Sequence, residues 1–163
     1  PNNKNIIPVA EQVNAQTSRM VCVVPTRGIA EGLASLMAYD PRATAEANAS
    51  NMAASAERVV AGEITQAVRD SNSDAGPIAI GDWLGIARTG IAAVRSTMAA
   101  AATDLLTEML DDDHELLTVI AGEGADDETT AEIVAWLEKN HPDIEFEVHA
   151  GGQPLYPYYF GLE

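Results

Sequence analysis

Apolar positions along the chain follow two periodicities. Ile6, Ala10, Val13 and Thr17 recur at helical spacing, which predicts a helix over about 6–18. Asn5 is placed to cap its start, and Pro8 falls in the first turn, where the missing N–H costs nothing. MVCVV (20–24) is a short, wholly apolar, β-branched run, the pattern of a buried parallel strand. PTRG (25–28) ends it. Ile29, Leu33, Leu36 and Met37 then predict an amphipathic helix that stops near Asp40 and Pro41. Residues 43–60 are alanine-rich and place Ala45, Ala49, Met52, Ala56 and Val59 on one helical face. This alternation is half of a βαβα layer, and its first strand is expected before Asn2.

From residue 62 the pattern changes. GEITQAVRD (62–70) reads as a strand, SNSDAGP (71–77) as a loop, and residues 78–94 as short strands joined by turns, with Gly90 at a hairpin tip. A helix over about 97–110 runs into LDDDHE. LLTVIAG (116–122) is an apolar strand. ADDETTAEIVAWLEKN (125–140) carries acidic residues in its first turn and Lys139 in its last, as the helix dipole favours. In 144–149 strict alternation turns Ile144, Phe146 and Val148 inward and Glu145, Glu147 and His149 outward. YYFGL reads as a last strand. The elements predict an α/β protein. Residues 1–50 form a partial α/β lobe lacking its first strand, a βαβ-type layer with a mixed sheet. Residues 51–163 form an α+β lobe with a short antiparallel hairpin and a C-terminal βαβ unit. The boundary is weakly marked and falls near 41–62.

Length and charge narrow the function. A chain of 163 residues suits one domain or two small lobes, and 47% hydrophobic residues with only 5% aromatic ones imply a core of Ala, Val, Ile and Leu. The net charge of -16 arises from 25 acidic against 9 basic residues. Such a surface repels nucleic acid and anionic lipid headgroups. Its acidity fits simple solubility, a salty cytoplasm or a cationic partner. Cys22 is the only cysteine, so no internal disulfide forms, and its apolar run predicts a buried structural thiol. No apolar stretch reaches the roughly 20 residues of a membrane span, and no secretory leader opens the chain. The cytoplasm is the expected compartment. A chain opening at a proline within a loop-like segment is expected to be part of something longer.

Most candidate chemistry is weak. His114 follows Asp111, Asp112 and Asp113 but lacks a second ligand at metal spacing, so a solvated turn explains the cluster equally well. GEGADD (122–127) sits between a strand and a helix, yet it lacks the third glycine of a dinucleotide loop, and Asp126 and Asp127 would repel phosphate. Asp82 in GDW reads as a turn residue. Two stretches stand out. Asn2, Asn3 and Asn5 precede a helix, and Thr26 and Arg27 leave the next strand at the same edge. In an open α/β sheet that edge is where ligands or partners bind, although capping and turn formation account for the same residues. The other stretch is HAGGQPLYPYYFGLE, whose Gln153 and Tyr156 belong either to an aromatic core or to a partner surface.

The segments PNNKNI, AEQ, VVPTRGIAEGLASLMAYDP, GEITQAVRD, GDWLGI, ELLTVIAGEGA and VHAGGQPLYPYYFGLE run nearly end to end. Together they resemble the C-terminal region of the ATP-binding subunit of fatty acid kinase, a dihydroxyacetone-kinase-like family also known as YloV-like. The alanine-rich composition looks like that of a high-GC bacterium. The resemblance implies an N-terminal kinase domain that holds ATP and Mg²⁺, then a linker region with metal ligands, and neither lies in this chain. It implies no cofactor, no catalytic residue and no metal site in the chain itself. It also implies docking to a separate DegV-type protein that holds the fatty acid, whose carboxylate receives the γ-phosphoryl group for phospholipid synthesis. Asn2, Asn3, Asn5, Thr26, Arg27, Gln153 and Tyr156 are the expected partner contacts. The α/β layering resembles DegV-type folds as well, so the alternatives are a lipid- or small-ligand-binding domain, or a structural lobe that dimerises. A homodimer through regions outside the chain is a further expectation.

Overall fold

The computed structural model describes residues 1–163 and divides them into two units, Pro1–Val60 and Ala61–Glu163. The division falls inside the weakly marked window and keeps the third helix whole.

The first unit contains α1 (Ile7–Gln12), a 3-10 turn (Val13–Gln16), α2 (Ile29–Met37) and α3 (Ala45–Arg58). Pro8 lies in the first turn of α1 as expected, but Asn5 does not cap the helix. Ile6 holds the cap position without a side-chain bond, because the Asn5 N–H is turned back to Asn3 Oδ1 at 2.8 Å. Residues 20–24 form no strand, and Cys22 is exposed rather than buried. The apolar run promises a strand only if a neighbour supplies a ladder, and no strand of this unit lies beside it.

Helix α2 also departs from its pattern. Its buried residues are Glu31, Gly32, Ala34 and Ser35, while Leu36 is 66% and Met37 87% exposed. Small residues let α2 and α3 approach closely: the Ser55 hydroxyl donates to the Ala34 carbonyl at 3.1 Å, and the Ser35 hydroxyl lies 3.1 Å from the Met52 carbonyl. Buried Asn48 clamps the α2–α3 connection, accepting from Asp40 N–H at 2.8 Å and donating to the Asp40 carbonyl at 2.7 Å. Thr44 caps α3 through the Ala47 N–H.

The second unit carries β1 (Val60–Gln66, whose first residue closes the first unit), a small hairpin of β2 (Ser71–Ser73) and β3 (Gly76–Ile78), β4 (Trp83–Ala87), β5 (Gly90–Arg95), α4 (Met98–Met109), β6 (Leu116–Ala121), α5 (Asp127–Asn140), β7 (Glu145–Ala150) and β8 (Tyr158–Leu162). Six strands form one mixed sheet in the order β5-β4-β1-β8-β6-β7. β1, β4 and β5 form an antiparallel meander, β6 and β7 are parallel across α5, and β8 runs antiparallel to β6. The fold is thus mixed α/β, with the antiparallel hairpin and the C-terminal βαβ unit where the pattern put them.

Alternation sorts the two sheet faces. Tyr158, Phe160 and Leu162 of β8 are fully buried, paired with Ala121, Val119 and Leu117 of β6. A Cβ on Gly62 or Gly85 would strike Leu105 of α4, so these glycines let the helix lie close on β1 and β4. Leu105, Leu106, Ile133 and Leu137 complete the helix side. β7 is an edge strand, and Val148, expected to face inward, remains 41% exposed because nothing pairs beyond it. Opposite the helices, Ala67, Ile78 and Leu84 form a smaller cluster with Ile86, Ile91 and Val94.

Phe160→Ala is expected to cost about 3–5 kcal/mol, the range for emptying a buried aromatic site. Tyr158→Phe should cost about 1 kcal/mol, since only a hydroxyl bonded to Thr130 at 2.6 Å is lost. Urea unfolding at equilibrium measures both. A smaller loss for Phe160→Ala than for Tyr158→Phe would refute the central packing of β8.

Candidate functional site

The amide-rich start and the PTRG turn meet. Asn2 N–H donates to Thr26 Oγ1 at 3.2 Å, and the Thr26 hydroxyl donates back to Asn2 Oδ1 at 2.8 Å. Asn2 sits at φ 59, a left-handed conformation that Asn tolerates better than most residues. Its side chain lies over Gly32 of α2, where any Cβ would collide with Asn2 Oδ1. Thr26 is buried by this arrangement. Arg27 follows with an exposed side chain, while its N–H donates to buried Glu31 at 2.6 Å. Asn3 and Asn5 are exposed in a single turn closed by the Asn5 N–H.

Beside this rim lies an open cavity of about 500 Å³, lined by Asn2, Ile6, Val24, Thr26, Leu36 and Met52 among others. A second, of about 550 Å³, shares Cys22, Val24, Leu36 and Met52 with it. The unit therefore presents an apolar face, with Ile6, Val9, Leu33, Leu36, Met37 and Tyr39 exposed, bordered by a hydrogen-bonded polar edge.

Gln153 and Tyr156 belong to the second unit, in the loop between β7 and β8. Gln153 Nε2 donates to the carbonyls of Ile120 and Tyr156, both at 3.1 Å, so this amide braces the loop on the end of β6. The backbone closes the same contact: Gly122 N–H donates to the Pro157 carbonyl at 2.8 Å and Glu123 N–H to the Gln153 carbonyl at 3.0 Å. A Cβ on Gly122 would lie 2.5 Å from the Gln153 carbonyl oxygen, so the loop requires glycine there. The same bonds remove GEGADD as a phosphate loop. Its amides are spent on the neighbouring loop, and the Asp126 carboxylate already occupies the start of α5, accepting from Thr129 N–H at 2.7 Å. Asp82 Oδ2 accepts from Ala79 N–H at 2.8 Å, the turn role read from its sequence, and the His114 ring nitrogen lies 2.8 Å from Asp111 Oδ1 within its own turn.

Residues 1–163 match in full the FakA-like C-terminal family, the C-terminal region of fatty acid kinase. The chain belongs to this family. It is 41% identical over its whole length to an uncharacterized protein of Staphylococcus aureus strain MRSA252, covering 30% of that protein. Uncharacterized proteins of the USA300 and NCTC 8325 strains are 40% identical over the same 163 residues, again across 30% of their length. The chain thus spans about a third of the length of the curated relatives it matches. No helix of this FakA-like chain is long and apolar enough to cross a membrane.

Electrostatics single out two residues that the sequence pattern did not mark. The Glu63 side chain on β1 makes no hydrogen bond or ion pair, and burial pushes its carboxyl above the ordinary range. Tyr159 on β8 is pushed up to about 12 by burial, with the Glu63 charge adding to the effect, and Tyr156 rises for the same two reasons. The only trace in the sequence is a carboxylate at an alternating strand position, which ordinarily faces water. Asp126 shifts the other way, held below its usual range first by the Thr129 N–H and next by the Thr129 hydroxyl.

These shifts have opposite consequences for stability. Folding favours the protonated form of Glu63, so its contribution is best below the unfolded carboxyl pKa and is lost as pH rises through the folded one. Glu63→Gln should therefore raise Tm near neutral pH and leave it little changed in acid. Asp126 contributes above its unfolded pKa and loses that contribution as pH falls through the depressed folded value, so Asp126→Asn should lower Tm near neutral pH and flatten the acid limb. Thermal melts across pH check both, and a Glu63→Gln variant less stable than the parent at neutral pH would contradict the first.

Proposed function

We propose that this chain is the region through which a fatty acid kinase docks its acyl-carrying partner, a DegV-type fatty-acid-binding protein. The bound fatty acid's carboxylate is then phosphorylated from ATP held by a separate kinase domain. The observation that carries this reading is the orientation of α2: it buries Glu31 at 3% exposure and small residues, and turns Leu33, Leu36 and Met37 outward. A contiguous exposed apolar face rimmed by polar groups is how protein interaction sites present themselves. The Asn2–Thr26 pair and Arg27 supply that rim, and an exposed guanidinium can donate paired hydrogen bonds to a partner's carboxylates. Phosphoryl transfer needs cations gathered around the phosphates, whereas this chain carries 9 basic residues against 25 acidic ones, so the chemistry is assigned elsewhere.

Calorimetric titration of the DegV-type protein into the chain tests the proposal. Leu36→Glu and Met37→Glu change solvent-facing positions and should weaken binding about tenfold or more, the scale of a central interface residue. Arg27→Ala, at the rim, should cost only a few-fold and leave a weaker salt dependence. Absence of binding by the unaltered chain would overturn the reading.

The two cavities favour a second reading. Volumes of about 500 and 550 Å³ with Val24, Leu36 and Met52 in their walls fall in the range of small-ligand sites. Native mass spectrometry of the gently purified chain separates the readings: a retained fatty acid supports ligand binding, and a bare polypeptide supports docking.

A further inference from the structure

The helix-free face of the second unit carries a group of side chains with no structural task. Gly62 and Ile64 of β1 face α4 or the buried core, so Glu63 between them points to the opposite face. Tyr158 and Phe160 are fully buried on the helix side, so Tyr159 points the same way as Glu63 from the adjacent strand. The loop before β8 folds over this face. The Leu155 carbonyl meets Thr65 Oγ1 at 3.5 Å, and the Tyr156 ring stacks on Tyr159 with centroids 5.3 Å apart. The stack is half-buried, and neither hydroxyl has a hydrogen-bond partner, unlike Tyr158, whose hydroxyl is bonded at the start of α5. Leu155 is held at φ 72, a conformation that disfavours an L side chain, and stands 82% exposed.

We infer that Glu63, Leu155, Tyr156 and Tyr159 form a recognition patch for an arginine side chain of a protein partner. A half-buried carboxylate without a counter-ion loses hydration and gains nothing in return until a cation arrives. Two stacked phenol rings beside it offer π faces, and a planar guanidinium is the cation that can lie on such a face while forking its N–H groups to a carboxylate. Leu155 offers apolar contact to the methylene stem of the same side chain. The charge balance agrees, since a chain at -16 attracts basic surfaces and repels acidic ones. The patch would be a second contact chemistry for the docking region, and it rests on that reading only in assigning the arginine to the acyl-binding partner.

Acetyl-arginine amide titrated into the chain bearing ring-labelled tyrosine tests the patch by NMR. The chain has four tyrosines, so each is assignable. Tyr156 and Tyr159 are expected to shift together while Tyr158 stays still, acetyl-citrulline amide is expected to shift neither, and Glu63→Gln should weaken binding about fivefold, the upper range for an accessible ion pair. Equal responses to the two amides, or unchanged affinity in Glu63→Gln, overturn the inference. Titration with the DegV-type protein separates it from the docking reading. Weaker binding by both Glu63→Gln and Tyr159→Leu supports the patch. Undiminished binding by both removes the patch from the interface and leaves docking intact. Failure of the unaltered chain to bind removes docking, while the amide titration still decides the patch.

Discussion

The second unit depends on the place of its last strand. β8 enters the middle of the sheet, between the antiparallel meander of β5, β4 and β1 and the parallel pair of β6 and β7. Those halves come from different stretches of chain and pair only through β8. Its three helix-facing residues, Tyr158, Phe160 and Leu162, are fully buried, so the final segment joins the two half-sheets and fills the core between them. Late insertion of a central strand also means that the sheet closes only when the end of the chain is in place, a contact of long sequence separation that is slow to form.

Bringing that strand in brings its loop as well. Gly122 lets the loop backbone lie against the end of β6, and Gln153 braces it there through two carbonyls. The same geometry pins Tyr156 onto Tyr159 and holds Leu155 outward at an unfavourable φ. A residue kept in a strained conformation with its side chain in water gains no stability from the arrangement, and such positions concentrate where a protein binds. Glu63, raised by burial and lacking a counter-charge, belongs to the same face.

The first unit obeys a different constraint. Its helices meet through serines, alanines and an asparagine that seat backbone against backbone, so the larger apolar side chains of α2 are left on the outside. The hydrogen-bonded edge of Asn2, Thr26 and Gly32 closes one border of that apolar face. A polar seam inside and an apolar surface outside is the reverse of an ordinary amphipathic helix pair, and it is the feature of this unit that most asks for a partner.

Local chemistry in the sequence was enough to place most elements. Alternation marked β6 and β7, Gly90 marked the hairpin, the acidic first turn marked α5, and Asp82 was legible as a turn residue, because each depends on neighbours a few residues away. The meeting of the asparagines with the PTRG turn followed from expecting both at one edge, and it joins residues 24 positions apart. Other features depend on what lies across the fold. MVCVV has strand composition but no ladder, Asn5 is drawn into a turn instead of a cap, and Cys22 and the stripe of α2 face outward, since burial requires a neighbouring surface that periodicity cannot supply. The half-burial of Glu63 and the stacking of Tyr156 on Tyr159 arise only when β8 settles beside β1, so tertiary structure alone decided them.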